Sequence, residues 1–260
     1  KQLYDDVSFK CSKLVTKNYS TSFSLAVKML APSIRDAIYS IYGFVRFADE
    51  IVDTFHDYDK AKLLEEFEQN YRSALENGIS LNPILQSFCL TQSEKNIRQH
   101  LVDAFLHSMK MDLGDIKNFN DEKYNEYIYG SAEVVGLMCL KVFVDGNVDE
   151  YNRLKPYAQS LGAAFQKINF LRDISADFND LNRMYFPNVD FSRFSSQAKQ
   201  QIEADIAKDF AHAFIGIKML PISSRIAVFM AYKYYINLFK KIRRTKPELL
   251  LTKRISVSNA

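Results

Sequence analysis

The sequence predicts an all-α protein, on three observations. Apolar residues recur at helical spacing over stretches far longer than a strand, strand-like alternation is negligible, and only 8 Gly and 6 Pro interrupt 260 residues. Pro32-Ser33 opens a core helix in which Ala37, Ile38, Ile41, Tyr42, Val45, Ala48, Ile51, Val52 and Phe55 share helical intervals. A second helix runs from about Tyr58 to Asn77, with a mostly charged face that makes it peripheral and Gly78 as its left-handed stop. Two shorter helices follow, one after Asn82-Pro83 through Phe88 and one from Ile97 through Met109. The stretches Tyr124–Val144 and Leu154–Ile174 are apolar nearly all round, which predicts central helices. Ser195-Ser196 cap a helix to about Met219, and after Pro221 a last helix reaches the basic cluster Lys240, Lys241, Arg243 and Arg244. The longest irregular stretch is Phe178 to Phe194, and long loops in small domains are often functional. Without repeat, linker or low-complexity segment, residues 1–260 are expected to form one domain.

Composition narrows the function classes. With 47% hydrophobic residues the chain can bury a large core, and 34 basic against 31 acidic residues give no reason to expect nucleic acid. Cys11, Cys89 and Cys139 are too scattered for a disulfide framework or a zinc site. No apolar stretch approaches the roughly 20 residues that span a bilayer, and the start Lys1-Gln2-Leu3-Tyr4-Asp5-Asp6 has no signal-peptide core. A cytoplasmic protein is expected, with peripheral membrane contact open to the basic end of the last helix, although helix-dipole pairing explains those cations more simply. The sequence sets no oligomeric state.

Acidic pairs four residues apart are common, and spacing alone says little. What separates Asp49/Asp53 is that they sit on a helix otherwise apolar enough to be buried. Tyr42, Arg46, Asp49 and Asp53 fall on one stripe of it, and Gln166, Asn169, Asp173 and Asp177 form a matching stripe on a second apolar helix. Four carboxylates facing one another would repel unless cations lay between them. All-oxygen ligands that leave positions for phosphate oxygens favour Mg²⁺ over Ca²⁺, whereas His56, His100, His107 and His212 have no ligand spacing. A metal so held binds a diphosphate, whose outer oxygens Arg46, Arg172 and Arg183 can neutralise. Simple pairing with the aspartates fits Arg172 as well, and Arg46 less. Gly130, Ala132, Gly136, Gly162, Ala163 and Ala164 beside Phe23, Phe44 and Phe165 suggest a narrow apolar cavity, though close helix packing is the commoner explanation of the small residues alone.

On these motifs the sequence resembles the squalene and phytoene synthase family, the head-to-head prenyl synthases. Tyr19-Ser20-Thr21-Ser22-Phe23 looks like its entry segment, and Tyr42 to Asp53 like its first aspartate motif. Tyr127 to Gly136 looks like its central tyrosine-glycine segment, Gln166 to Asp177 like its second aspartate motif, Arg183-Met184-Tyr185-Phe186-Pro187 like its flap, and Arg254 to Asn259 like its tail. The resemblance spans nearly the whole chain, in order. It departs at Tyr19 and Thr21, where a histidine and a basic residue are usual, and at Ser131-Ala132-Glu133, where Val-Ala-Gly is usual.

The resemblance implies an isoprenoid-synthase fold around a central cavity, with several Mg²⁺ ions, or Mn²⁺, and two prenyl diphosphate substrates. It implies metal at Asp49, Asp53, Asn169, Asp173 and Asp177, and diphosphate contacts from Tyr19, Ser20, Thr21, Ser22, Arg46, Arg172 and Gln166, with Tyr42 and Tyr235 nearby. The reaction implied is ionisation of one diphosphate, attack by the other substrate's double bond, closure of a cyclopropane, and rearrangement to a symmetrical hydrocarbon. A diphosphate oxygen, Tyr42 or Tyr185 could take the proton. Two geranylgeranyl diphosphates giving phytoene is the favoured product line, because the chain is short and lacks a C-terminal membrane helix. The alternative is squalene or dehydrosqualene from farnesyl diphosphate, with NADPH needed only for squalene. A head-to-tail synthase would carry adjacent aspartates, and a non-catalytic helical assembly or binding relative would have lost its metal ligands.

Overall fold

The computed structural model describes residues 1–114, 119–179, 185–187, 189 and 194–256, with 176–179 described only as helix backbone. Among these residues there is no strand. The helices are α1 (Gln2–Tyr19), α2 (Thr21–Lys28), α3 (Pro32–Asp53), α4 (Lys60–Asn77), α5 (Pro83–Glu94) and α6 (Gln99–Asp112), then α7 (Asp121–Ile128), a π turn (Tyr129–Glu133) and α8 (Val134–Phe143). The long α9 (Val148–Asn179), α10 (Ser196–Met219), α11 (Ile222–Arg244) and the short α12 (Pro247–Leu250) complete the order.

Two of these helices escape hydrophobic periodicity. The buried seam of α1 is Ser8, Ser12 and Thr16, spaced one turn apart. Ser8 Oγ donates to Tyr4 O at 2.8 Å and Thr16 Oγ1 to Ser12 O at 2.9 Å, so the hydroxyls are satisfied within their own helix. That small seam lets α1 lie close on α3 and α5, where Ser12 and Ser87 hydroxyls meet at 2.7 Å and Gly43 leaves the room a Cβ would take. The other, α2, is short and is started by Ser20, whose Oγ accepts the Phe23 N–H at 3.2 Å.

Elsewhere the predicted starts and stops are found. Asn82 caps α5 with Pro83 in its first turn, Ser195 caps α10, and Gly78 ends α4 at φ 67°. Several boundaries differ from expectation, and α5 runs six residues past Phe88 to Glu94. α3 stops at Asp53, leaving Phe55 outside it. α9 begins at Val148, where the Asn147 side chain accepts the Glu150 N–H at 3.0 Å, six residues before the apolar pattern starts, and it continues through Pro156 to Asn179. The segment Tyr124–Val144 is not one α-helix, because the π turn interrupts it. The insertion is held by close backbone contacts on both sides: a Cβ on Gly130 would fall 2.5 Å from Ala104 O of α6, and one on Gly162 of α9 would fall 2.8 Å from Ala132 O. Gly130, Gly136 and Gly162 therefore serve helix packing, the plainer of the two readings.

The apolar side chains form two clusters. One is centred on Phe44, fully buried among Phe67, Tyr71, Phe88 and Phe105 and stacked on Phe88 at 4.0 Å, so Phe44 belongs to the core and not to a cavity wall. Burying one such ring contributes about 1.5–3 kcal/mol. The other gathers Phe170, Leu171, Tyr185, Phe186, Phe210, Leu238 and Ile242 from α9, α10, α11 and the residues after α9. α2 packs on α3 and on α11, and α11 packs on α9, so α2 and α11 bridge the helices that carry the two polar stripes.

Candidate active site

The first aspartate pair lies at the C-terminal end of α3, where the helix has no basic residue in its last turn. A helix C-terminus carries partial negative charge, so two aspartates there create a strong demand for a cation. Part of it is met by Arg46, whose Nη1 lies 2.6 Å from Asp49 Oδ2 and whose Nη2 pairs closely with Glu50. Arg46 thus does pair with an aspartate, which the sequence reading had made the less expected arrangement. Its guanidinium also lies 4.6 Å from the centre of the Tyr19 ring, and its buried Nε has no hydrogen-bond partner among the described residues. Burial and the Asp53 carboxylate push the Asp49 carboxyl up to about 7, against the pull of Arg46.

The entry segment folds onto this stripe. Phe23 stacks on Tyr42 with ring centres 4.7 Å apart, and Ser20 shares a hydrogen bond with the Tyr42 hydroxyl. Tyr19, Ser20 and Phe23 are therefore brought to Arg46 and Tyr42; Ser22 is half-buried and Thr21 is exposed.

The second stripe lies near the C-terminal end of α9, again without a basic residue in the last turn. A directed chain of hydrogen bonds orders it. Ser131 Oγ of the π turn donates to Tyr127 O at 2.7 Å and accepts Gln166 Nε2 at 3.2 Å. Gln166 Oε1 accepts Asn169 Nδ2 at 3.3 Å, and Asn169 Oδ1 accepts the Tyr235 hydroxyl of α11 at 3.3 Å. Tyr235 also stacks on Phe165 at 3.8 Å and is an electrostatic neighbour of Tyr42, Arg172 and Asp173, so α11 closes the gap between the two stripes. Burial pushes both the Tyr42 and Tyr235 phenols above their ordinary value.

Asp173 has two cationic partners. Arg172 Nη2 lies 2.5 Å from Oδ2, and Arg254 Nε lies 2.7 Å from Oδ1. Arg172 thus takes the simple pairing that the sequence left open for it. The side chains of Asp177 and Arg183 lie outside the described residues. Among the described residues no three carboxylate, imidazole or thiol groups converge. Tyr185 is buried, stacked on Phe170 at 4.1 Å and hydrogen-bonded with Tyr127, whose hydroxyl donates to Asp112 Oδ2 at 2.8 Å. Those partners make it an anchor for the segment after α9. Sequence reasoning missed Glu50 as a partner of Arg46, Ser131 behind Gln166, Phe165 under Tyr235 and Arg254 at Asp173. Only Arg254 had a signal, its place in the tail motif.

The sequence model of squalene/phytoene synthases matches residues 16–260. The chain belongs to this family. Its curated relatives include 4,4'-diapophytoene synthase of Staphylococcus haemolyticus, 26% identical over 75% of this chain and 67% of the relative. Presqualene diphosphate synthase of Zymomonas mobilis is 32% identical over 65% of this chain, and that of Sinorhizobium fredii 30% over 72%. The matched regions span 56% and 66% of those two proteins. Among solved structures, squalene synthase HpnC from Alicyclobacillus acidocaldarius superposes with a TM-score of 0.80 at 18% identity, covering 93% of this chain and 95% of that one. A dehydrosqualene synthase in complex with ligand gives 0.79 at 20% identity, covering 96% of both chains. The fold is that of the squalene-synthase type, and members of the family are prenyltransferases.

Proposed function

We propose that this chain condenses two prenyl diphosphates head to head through a cyclopropyl diphosphate, holding the diphosphates between the aspartate-bearing ends of α3 and α9. The observation that carries the reading is the meeting of Tyr42, Asn169 and Tyr235 between the Arg46–Asp49 and Arg172–Asp173 pairs. The donor set fits Mg²⁺ or Mn²⁺ at Asp49 and Asp53, because the like-charge repulsion that pushes Asp49 up is what a divalent ion relieves. Asn169, Asp173 and Asp177 would hold further metal, with Asp173 exchanging an arginine for it. When bound, the metal would neutralise the leaving diphosphate.

The chain's own residues divide the remaining work. Arg46 presents an unpartnered buried Nε, and Arg172 a guanidinium now turned to Asp173, as donors for diphosphate oxygens. Tyr42 and Tyr235 stay protonated at neutral pH and act as hydrogen-bond donors. A phenol so hard to ionise is a poor base, and Tyr185 is engaged with Tyr127, which leaves a diphosphate oxygen as the proton acceptor. The stacked pairs Phe23–Tyr42 and Phe165–Tyr235 would wall the cation from water.

The relatives are named for diapophytoene and presqualene diphosphate, which sets squalene or dehydrosqualene from farnesyl diphosphate level with the sequence-based preference for geranylgeranyl diphosphate and phytoene. Purified protein incubated with each diphosphate, with Mg²⁺ or EDTA and with or without NADPH, should release diphosphate only with metal, and the hydrocarbon identifies the substrate. NADPH should matter only if squalene forms. Full turnover by both Asp49→Asn and Asp173→Asn would refute the mechanism, and no release from either substrate would leave a binding protein.

A further inference from the structure

The outer face of α11 has no part in the reaction, and it is unusual for a surface helix. Ile222, Ile226, Phe229 and Met230 are 71%, 55%, 37% and 44% exposed. At positions i, i+4, i+7 and i+8 they form one outward stripe, opposite the buried Ala227, Leu238, Phe239 and Ile242. The stripe runs on through the exposed Lys233, Asn237, Lys240 and Arg244. Across its whole length α11 carries six cations, Arg225, Lys233, Lys240, Lys241, Arg243 and Arg244, and no Asp or Glu. Among the described residues none of the six pairs with a carboxylate. The neighbouring α2 adds exposed Leu25 and Lys28, and the connection after it, tied to α11 by Ala31 N donating to Ser223 O at 2.8 Å, adds exposed Met29.

We propose that α11 lies flat on an anionic lipid surface, with Ile222, Ile226, Phe229 and Met230 inserted at the level of the acyl chains and the basic half of the helix on the headgroups. An exposed apolar row, its Phe229 steadied by ring contacts with Phe214 and Tyr232, on a helix with positive charges and no negative ones is the composition that binds anionic bilayers in plane. The charge selects against a second copy of this chain. Two such helices brought together would set cation against cation with no carboxylate on either to offset them. No helix among the described residues is long and apolar enough to cross a membrane, so the contact is with the surface. The surface is read from exposure and charge alone and stands or falls apart from the reaction. What it adds to the reaction is position: Tyr235, on the inner side of this helix, borders the site, so a product leaving between α2 and α11 would emerge beside the bilayer.

The chain contains no Trp, so Phe229→Trp gives a single fluorescent reporter in the stripe. Flotation with vesicles of phosphatidylcholine containing one third phosphatidylglycerol should carry the full chain upward, and phosphatidylcholine alone should not. Raising salt from 50 to 500 mM should weaken binding about tenfold. The reporter's emission should shift to the blue on binding. Ile226→Glu/Met230→Glu should abolish flotation, and Lys233→Gln/Lys240→Gln/Arg244→Gln should weaken it about tenfold, with thermal melting unchanged in both. The proposal is overturned if the chain does not float, if it floats while the reporter's emission stays put, or if light scattering finds a dimer that Ile226→Glu/Met230→Glu dissociates.

Discussion

Burial and the Asp53 carboxylate push Asp49 up to about 7, so the metal-free chain holds this carboxyl partly protonated at neutral pH. The fold therefore favours the neutral form, and the group costs stability that grows as pH rises from its ordinary value of 3.8 to about 7 and is constant above. Its side chain is 34% exposed, so solvent screens part of that cost and its direction is the firm expectation. On the proposed reading Mg²⁺ would reverse the sign, because it would bind only the ionised form. Titrating Mg²⁺ calorimetrically at pH 6.5 in buffers of different ionisation enthalpy should reveal proton release that shrinks by pH 8.5 and is lost in Asp49→Asn. Equal proton release at the two pH values would place the raised carboxyl elsewhere. Glu50, one residue on, has a separate task in fixing the second arm of Arg46.

At the scale of elements, the π turn links packing to the site. It carries Ser131, which starts the hydrogen-bond chain to Asn169, and it is wedged between α6 and α9 by Gly130 and Gly162. A Cβ at Gly162 would meet backbone, Ala132 O at 2.8 Å, which cannot swing aside as a side chain could. Gly162→Ala should cost about 1–3 kcal/mol in denaturant unfolding, and an unchanged midpoint would mean that α9 and the turn are looser than drawn. Little of this was legible in the sequence. An apolar row betrays α3 because burial selects side chains of one kind at one spacing. The seam of α1 is made of hydroxyls satisfied by their own helix or, at Ser12, by Ser87 of α5, which periodicity scores as solvent. The π turn is a change of backbone hydrogen bonding inside a run that is apolar on both sides, and no residue type marks it except glycines that packing alone would explain. The stripe Tyr42, Arg46, Asp49 and Asp53 could be read because one helix carries it. The contact of Arg254 with Asp173 could not, because the two meet only through the fold.

Across the whole molecule, the two stripes belong to different hydrophobic clusters, α3 to one and the end of α9 to the other. Both helix ends are acidic with no basic residue in their own last turn, and at α3 the Lys60 ammonium of α4 reaches Val52 O at 2.8 Å. Arginines pair with the aspartates at both ends: Arg46 from within α3, and Arg172 with the distant Arg254 at α9. On the proposed reading, metal and diphosphate would compete with part of that pairing and would link the two helix ends. The two ends should therefore stiffen together. In hydrogen exchange, Mg²⁺ with inorganic diphosphate should slow the amides of 47–53 and 169–175 at the same ligand concentration while α4, packed against the far side of the first cluster, keeps its rate. Mg²⁺ alone should already slow 47–53, because the Asp53 carboxylate that helps push Asp49 up is what a divalent ion would offset. Protection of the α3 end by the full mixture, with none at α9, would mean that the clusters bind separately and that α9 takes no part in holding the diphosphate.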